Sequence, residues 1–375
     1  MKAAGAQPLA AAHVSWDAEG LVRGIVRASA VYMPVLVLAG YLAGGWATYA
    51  GFAVVFAFYF LVEIWLHVST YGVTTSVADE FKYARGPAAH AAEQVPLYVY
   101  GVSQVLLIAV VLSTLRSRNL EAFEVVGITL SLGAMSGSVG GLAGHEFIHR
   151  RGWERALGVA VYASVNYAHF CVTHIAGHHR FVGLHRDWGT ARRGESVYAF
   201  LVRAVGVAGL ASFRLESARL RRQGLRWWST ENFVLRYLAF QLVLWSTLYV
   251  ASGPVTVAVF GLASAMAIVL MEIVNYVSHY GLTRSVDGAG RPEPVQNKHS
   301  WESNNKVTNW FIFNAGKHSH HHRHPTHTHD ELTLCHEKAY LPHGLPLMTL
   351  IALVPPLYFR LMNPLVDRAK EITPS

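Results

Sequence analysis

VVGITLSLGAMSGSVGGLAGHEFIHR, residues 125–150, decides how the rest of the chain is read. Its first nineteen residues, 125–143, carry no charged side chain. A helix of that length rises about 28 Å, close to the ~30 Å hydrocarbon core of a bilayer. The run then ends in His145-Glu146-Phe147-Ile148-His149-Arg150. A membrane-spanning helix thus delivers two histidines, four residues apart on one face, to the membrane surface.

The same apolar pattern recurs outward from this stretch. Windows at 28–47, 49–67, 97–115, 234–251 and 254–276 also read as spans, giving about six transmembrane helices in three hairpins, the first turning at Gly44-Gly45-Trp46. The composition agrees, with 52% hydrophobic and 14% charged residues and a mean hydropathy of +0.28. The first run follows a mixed-polarity stretch and no small-x-small site follows it, so it is expected to be a span and not a cleaved signal peptide. Cys171 and Cys335 are the two cysteines, which implies no disulfide framework and permits a reducing compartment.

A net charge of +8 does not require nucleic acid here. Thirteen arginines lie between 145 and 231, and Arg284, Arg291, Lys298, Lys306, Lys317 and Arg323 follow the last span. The connections near Trp46 and Gly253 carry no Lys or Arg. The positive-inside rule then puts both termini and the large loops in the cytoplasm, with Arg116 and Arg118 on the wrong side. The layout expected is a cytoplasmic segment 1–27 and one membrane-embedded domain 28–375, with cytoplasmic regions at about 144–231 and 277–343. Segment 156–173 reads as a helix packed at the membrane surface. Segment 345–358, broken by Pro355-Pro356, reads as interfacial or re-entrant.

The chain has 21 histidines, and four groups of them sit at or just beyond the same ends of the spans. They are His145 with His149; His174 with His178 and His179; His279; and His318, His320, His321 and His322. In the second group His174 and His178 have i, i+4 spacing, and His179 can turn to a second ion. One catalytic zinc needs about three protein ligands, and these groups offer enough for two ions with positions left open. Imidazole suits iron, zinc, copper and nickel alike. Taken alone, His145-Glu146-x-x-His149 also reads as a zinc-protease helix with Glu146 as general base. The stretch 317–329 alone reads as a metal-scavenging tract. His67 reads as a packed histidine, and His13, His90 and His343 as surface residues.

Together the motifs resemble the membrane alkane monooxygenases and xylene-type methyl monooxygenases, within the membrane fatty-acid desaturase and hydroxylase superfamily. The resemblance spans about 144–364. It rests on Gly144-His145-Glu146-Phe147-Ile148-His149-Arg150, His174-x-x-Gly177-His178-His179, Gly194-Glu195-Ser196-Val197-Tyr198 and Asn275-Tyr276-x-x-His279-Tyr280-Gly281-Leu282. His299-Ser300-Trp301-x-Ser303-Asn304-Asn305, His318-Ser319-x-His321-His322 and Pro355-Pro356-Leu357-Tyr358-Phe359-Arg360 complete it. Carried over residue by residue, it implies two iron ions held by His145, His149, His174, His178, His179, His279, His318, His321 and His322. Thr173, Ser278, Gly316-Lys317 and His320 depart from the family pattern, where acidic or Gln-Arg residues are usual. These departures leave metal binding in place and bear on tuning and substrate.

The fold class so implied is all-α integral membrane, with a cytoplasmic helical cap carrying a histidine-rich di-iron site. The activity implied is hydroxylation of an unactivated terminal methyl group on an alkane or alkyl-aromatic, by O2 and two electrons. Glu146, Asp187, Glu272 and Asp330 are the acids expected to orient imidazole N–H groups. With no dinucleotide fingerprint and no cysteine cluster, electrons must come from a separate protein, and the resemblance implies a rubredoxin- or ferredoxin-type donor and its reductase. The location implied is a bacterial inner membrane with the site on the cytoplasmic side. A fatty-acyl desaturase or decarboxylase, an intramembrane zinc protease and a metal transporter are the alternatives.

Overall fold

The computed structural model describes residues 18–58, 61, 87–334 and 339–371. Within them the protein is helical, and its extended pairings are two isolated bridges, Val286 with Pro292 and Glu302 with Tyr340. Helix α1 (Ala18–Ala43) begins before the expected first span and stops at the expected turn, where Gly44 and Gly45 take φ of 73° and 57°. That left-handed backbone is cheap only for glycine. The chain turns back through α2 (Ala50–Ala53) and a π-helical turn, Val54–Phe58. The remainder of window 49–67 lies largely outside the described residues, as do His13, Trp65, His67 and Cys335.

Helix α3 (Pro87–Thr114) is the next span. The opening stretch becomes α4 (Ala122–Met135), a π-helical turn (Ser136–Gly140) and α5 (Gly141–Ile148), continuous over Ala122–Ile148. The segment expected at the membrane surface, 156–173, falls on α6 (Gly152–Ala163) and α7 (Phe170–Thr173), followed by a third π-helical turn (His174–His178) and α8 (His179–Phe181). Helices α9 (Val197–Arg222) and α10 (Phe233–His279) are long. The tail holds α11 (Lys306–Phe311), α12 (His318–Arg323), α13 (Leu345–Ala352) and α14 (Pro355–Glu371).

Among the described residues five helices are long and apolar enough to cross a bilayer: Gly24–Ala43, His90–Ser117, Ala122–Ile148, Val197–Arg222 and Phe233–His279. The fourth falls within the stretch that the sequence reading makes a cationic cytoplasmic loop, and it qualifies by length and composition alone. Arg219, Arg221 and Arg222 crowd the last turn of α9, leaving an apolar length upstream. The fifth contains the expected third hairpin. Gly253 is non-helical (φ 83°, ψ 178°), and the Trp245 and Phe260 rings lie 5.4 Å apart. In a straight helix they would be about 22 Å apart, so α10 folds back into two limbs.

Arg116 and Arg118 have a local job at the end of the molecule away from the histidines. Arg116 donates to the Ala251 carbonyl, and Arg118 to that of Leu42 at 2.8 Å. Both are carbonyls at helix ends, which lack intrahelical partners. At their centre the spans pack through glycine. A Cβ on Gly133, Gly137 or Gly141 would come within 2.8 Å of Met266, Ala267 or Met271 on α10. This small-xxx-small stripe lets two spans approach closely where no hydrophobic drive exists. It also brings the end of α5, with His145, beside the end of α10, with His279. A second core, built on Tyr276, Tyr280, Met348 and Tyr358, packs the tail against that same end of α10.

Candidate metal centre

Nine histidines converge in two groups, and they are the nine singled out from the sequence. His145, His149, His174, His179 and His321 form one; His178, His279, His318 and His322 form the other. Within each group the available nitrogens lie within 4.8 Å of one another. The Nε2 atoms are closer still. His174 lies 3.1 Å from His149 and 2.9 Å from His179, and His321 lies 3.2 Å from His179. In the other group His279 lies 3.0 Å from His178 and 2.9 Å from His318, which lies 3.0 Å from His322.

That crowding fits a cation. Metal–nitrogen bonds of roughly 2.0–2.1 Å place neighbouring ligands about 3.0–3.4 Å apart. His145 Nε2 is buried with no hydrogen-bond partner. Burial pushes the His149, His174, His179, His318, His321 and His322 imidazoles well below the ordinary histidine range, with repulsion from neighbouring histidines adding to it. They stand neutral at pH 7, as metal ligation requires.

The first group of the sequence pairs as its spacing suggests, but the second does not. His174 joins His179, while His178 goes to the other cluster. The cause is the π-helical turn over His174–His178. A π turn bonds i to i+5, so residues five apart come into line and His178 is rotated away. Gly177 allows this turn to pack, since a Cβ there would sit 2.3 Å from the Trp188 ring.

A hydrogen-bonded loop holds His178. Its Nδ1 lies 2.9 Å from Asp187 Oδ2, and Asp187 accepts from Thr190 Oγ1 at 2.7 Å and Gly189 N at 3.1 Å. Asp187 therefore sits where an orienting acid should. Arg203 ties the loop down by donating to the Trp188 and Thr190 carbonyls, and its guanidinium is gripped by Glu195. Tyr276 donates to the Glu195 carbonyl, and Gly194 N donates to the Tyr280 hydroxyl. The Gly194–Tyr198 motif and the tyrosine motif around His279 thus brace each other. Thr190, Gly189 and Arg203 were not singled out from sequence; only the tertiary contact gives them meaning.

The other three acids are placed differently from expectation. Glu146 accepts from Arg150 at 2.8 Å and from the His329 backbone N–H at 3.1 Å. Arg150 also bonds Glu154, Tyr98 and Gln94. Asp330 bonds His90 and Gln94, each at 2.7 Å, so His90 is not a free surface residue. His343 is half-buried as well. Glu272 accepts from Tyr167 and Asn275, with no arginine partner among the described residues. His320 packs with His324 and His327, outside both clusters.

Span ends and short cap helices that bring nine imidazoles into two adjoining groups define an integral membrane protein able to hold metal. The chain belongs to the fatty acid desaturase family, whose model matches residues 122–351. It is 35% identical over 254 residues to an alkane 1-monooxygenase of Pseudomonas putida, covering 67% of this chain and 62% of that protein. Similarity to alkane 1-monooxygenase 1 of Pseudomonas aeruginosa is 37% over 242 residues, covering 64% and 63%. The xylene/toluene monooxygenase hydroxylase component of Pseudomonas putida is 28% identical over 243 residues, covering 64% of each. The matched part of the chain thus spans less than two thirds of these relatives' own length.

Proposed function

We propose that the protein is an O2-dependent monooxygenase that hydroxylates a terminal methyl group of an alkane or alkyl-aromatic, with two iron ions on the nine histidines. The reaction is RH + O2 + two electrons + two protons → ROH + H2O. When bound, the iron supplies the redox chemistry that reduces O2 and oxidises the C–H bond. The observation that carries the reading is an apolar pocket walled by the helices that bear His145 and His279. It has about 680 Å³ of empty space, part of it open, lined by residues including Leu142, Val274, Phe311, Ile312 and Leu345. Leu142 precedes His145 by three residues and Val274 precedes His279 by five, so the pocket reaches to within two helical turns of both clusters.

Among the described residues the pocket wall is overwhelmingly apolar. Its two hydroxyls point into their own helices: Ser138 Oγ donates to the Ala134 carbonyl at 2.6 Å, and Thr349 Oγ1 to that of Pro346 at 2.6 Å. A hydrocarbon loses no hydrogen bonds on entering, whereas a carboxylate would find neither hydroxyl free to donate to it. The residues' own work is to orient the imidazoles through Asp187, to exclude water, and to hold hydrocarbon under the centre. The protease alternative needs Glu146 as a free base, and Glu146 is engaged by Arg150 and His329. Electrons come, in this reading, from a rubredoxin- or ferredoxin-type protein that meets the exposed Arg180, Arg186 and Arg192 on the cytoplasmic side of a bacterial inner membrane.

The test is iron content of detergent-purified protein, with His178→Ala and His321→Ala, one from each cluster, alongside. About two irons per chain are expected, falling in both variants, and terminal alcohol from alkanes or alkylbenzenes when a donor and reductase are added. One zinc per chain indifferent to His321→Ala would overturn the reading, and an olefinic product from a fatty-acyl substrate would move it to the desaturase class.

A further inference from the structure

Glu272 is a carboxyl buried at 3% exposure inside the last membrane-spanning limb. It receives the Tyr167 hydroxyl on Oε1 at 2.7 Å and the Asn275 amide on Oε2 at 3.2 Å. Two donors facing two oxygens suit an ionised carboxylate. Among the described residues, no lysine or arginine lies within ion-pair distance of it. Of the other acids around the histidines, Glu146 is matched by Arg150, while Asp330 and Asp187 face the imidazoles of His90 and His178. An unmatched carboxylate at membrane depth is costly, so its counter-charge has to come from somewhere.

The four-histidine group is next to it. A Cβ built on Gly189 would lie 2.6 Å from His178 Nδ1 and 3.0 Å from Asn275 Nδ2, so the amide holding Glu272 and the edge of the His178 ring meet at one point. Neutral imidazoles bring no negative charge to a divalent ion. An ion on them brings its positive charge into a buried site where Asp187, on His178, is the one carboxylate in direct contact with the group among the described residues. We propose that Glu272 is a charge-balancing residue for the ion held by His178, His279, His318 and His322, acting through space from behind Asn275 and not as a ligand. The inference rests on the metal-binding part of the function proposed above. Each charge relieves the cost of burying the other, so the carboxylate and the ion should stabilise one another reciprocally.

Glu272→Gln tests this, because the amide keeps the shape and an acceptor for Tyr167 while removing the charge. The expected result is iron content falling from about two to about one per chain, with release to a chelator accelerated by about tenfold or more. Thermal unfolding should show opposite signs. The iron-loaded variant should melt below loaded wild type, and the chelated variant at or above chelated wild type. Tyr167→Phe, which removes a hydrogen bond but keeps the charge, should retain iron better than Glu272→Gln.

A Glu272→Gln protein that keeps two irons with unchanged release overturns the inference and leaves the proposed function standing. So does one that is destabilised equally with and without metal, or that is matched by Tyr167→Phe, since either result makes Glu272 a structural hydrogen-bond acceptor. Wild type that binds no iron instead removes the function on which the inference rests.

Discussion

His299 is a buried side chain one residue away from a contact to the histidine cluster. It is 1% exposed, accepts from Gln296 N at 3.0 Å through Nδ1, and lies 3.1 Å from Glu293 Oε1 through Nε2. The next residue, Ser300, reaches His279 Nδ1 at 3.4 Å. Burial pushes the His299 imidazole down to about 4, against about 6.5 in an unfolded chain. Below pH 6.5 the unfolded chain takes up a proton that the folded one refuses until about pH 4. Stability is therefore lost as pH falls through that window, by up to about 1.4 kcal/mol per unit. Replacing His299 with Gln removes this slope. Its stability deficit against wild type, read by thermal unfolding, should shrink between pH 8 and pH 5. A deficit that stays constant across that range would show that His299 does not resist protonation.

At the scale of the element, two devices place the histidines. One is the glycine stripe of α4 and α5 against α10. A Cβ at Gly137 would meet the Ala267 backbone at 2.7 Å, which cannot give way as a flexible side chain could. Gly137→Val should force the spans apart, cost roughly 1–3 kcal/mol, and lower iron content because His145 and His279 ride on the separated helices. Gly206→Ala on α9, where nothing lies within 4 Å, should leave both unchanged. Equal effects at the two positions would remove the packing argument. The other device is the π turn of the second histidine group. Ordinary α-helical spacing pairs His174 with His178; one widened turn pairs His174 with His179 and sends His178 to the second cluster. Nothing in the composition of that turn announces it, since it is stabilised by what packs around it, including Trp188 on Gly177.

At the scale of the whole molecule, the two clusters draw on α5, the π turn with α8, the end of α10, and α12. Elements far apart in sequence are thus cross-linked when metal is bound. Metal that binds only the folded protein adds stability as RT ln(1 + [L]/Kd), about 4 kcal/mol at a thousandfold excess over Kd. Chelation of the purified protein should therefore lower its melting temperature by several degrees, and restoring ferrous iron anaerobically should bring it back. An unchanged melting temperature with complete metal removal would mean that the clusters form without help from an ion.

From the sequence alone came the membrane class, the turn at Gly44-Gly45, the break at Gly253 and the four histidine groups, while the resemblance of the motifs to a family picked nine histidines out of them. These follow from local chemistry: apolar length sets a span, glycine permits left-handed backbone, and imidazoles in groups mark a metal site. The sequence could not determine which histidine joins which cluster, because the π turn is a response to packing. Nor could it separate Asp187, which touches an imidazole of the two clusters, from Glu146, which pairs with Arg150 one turn on, or from Glu272 and Asp330, whose partners Tyr167 and His90 arrive from other segments. A carboxyl's role depends on the group that meets it in space, and only the tertiary structure brings the two together.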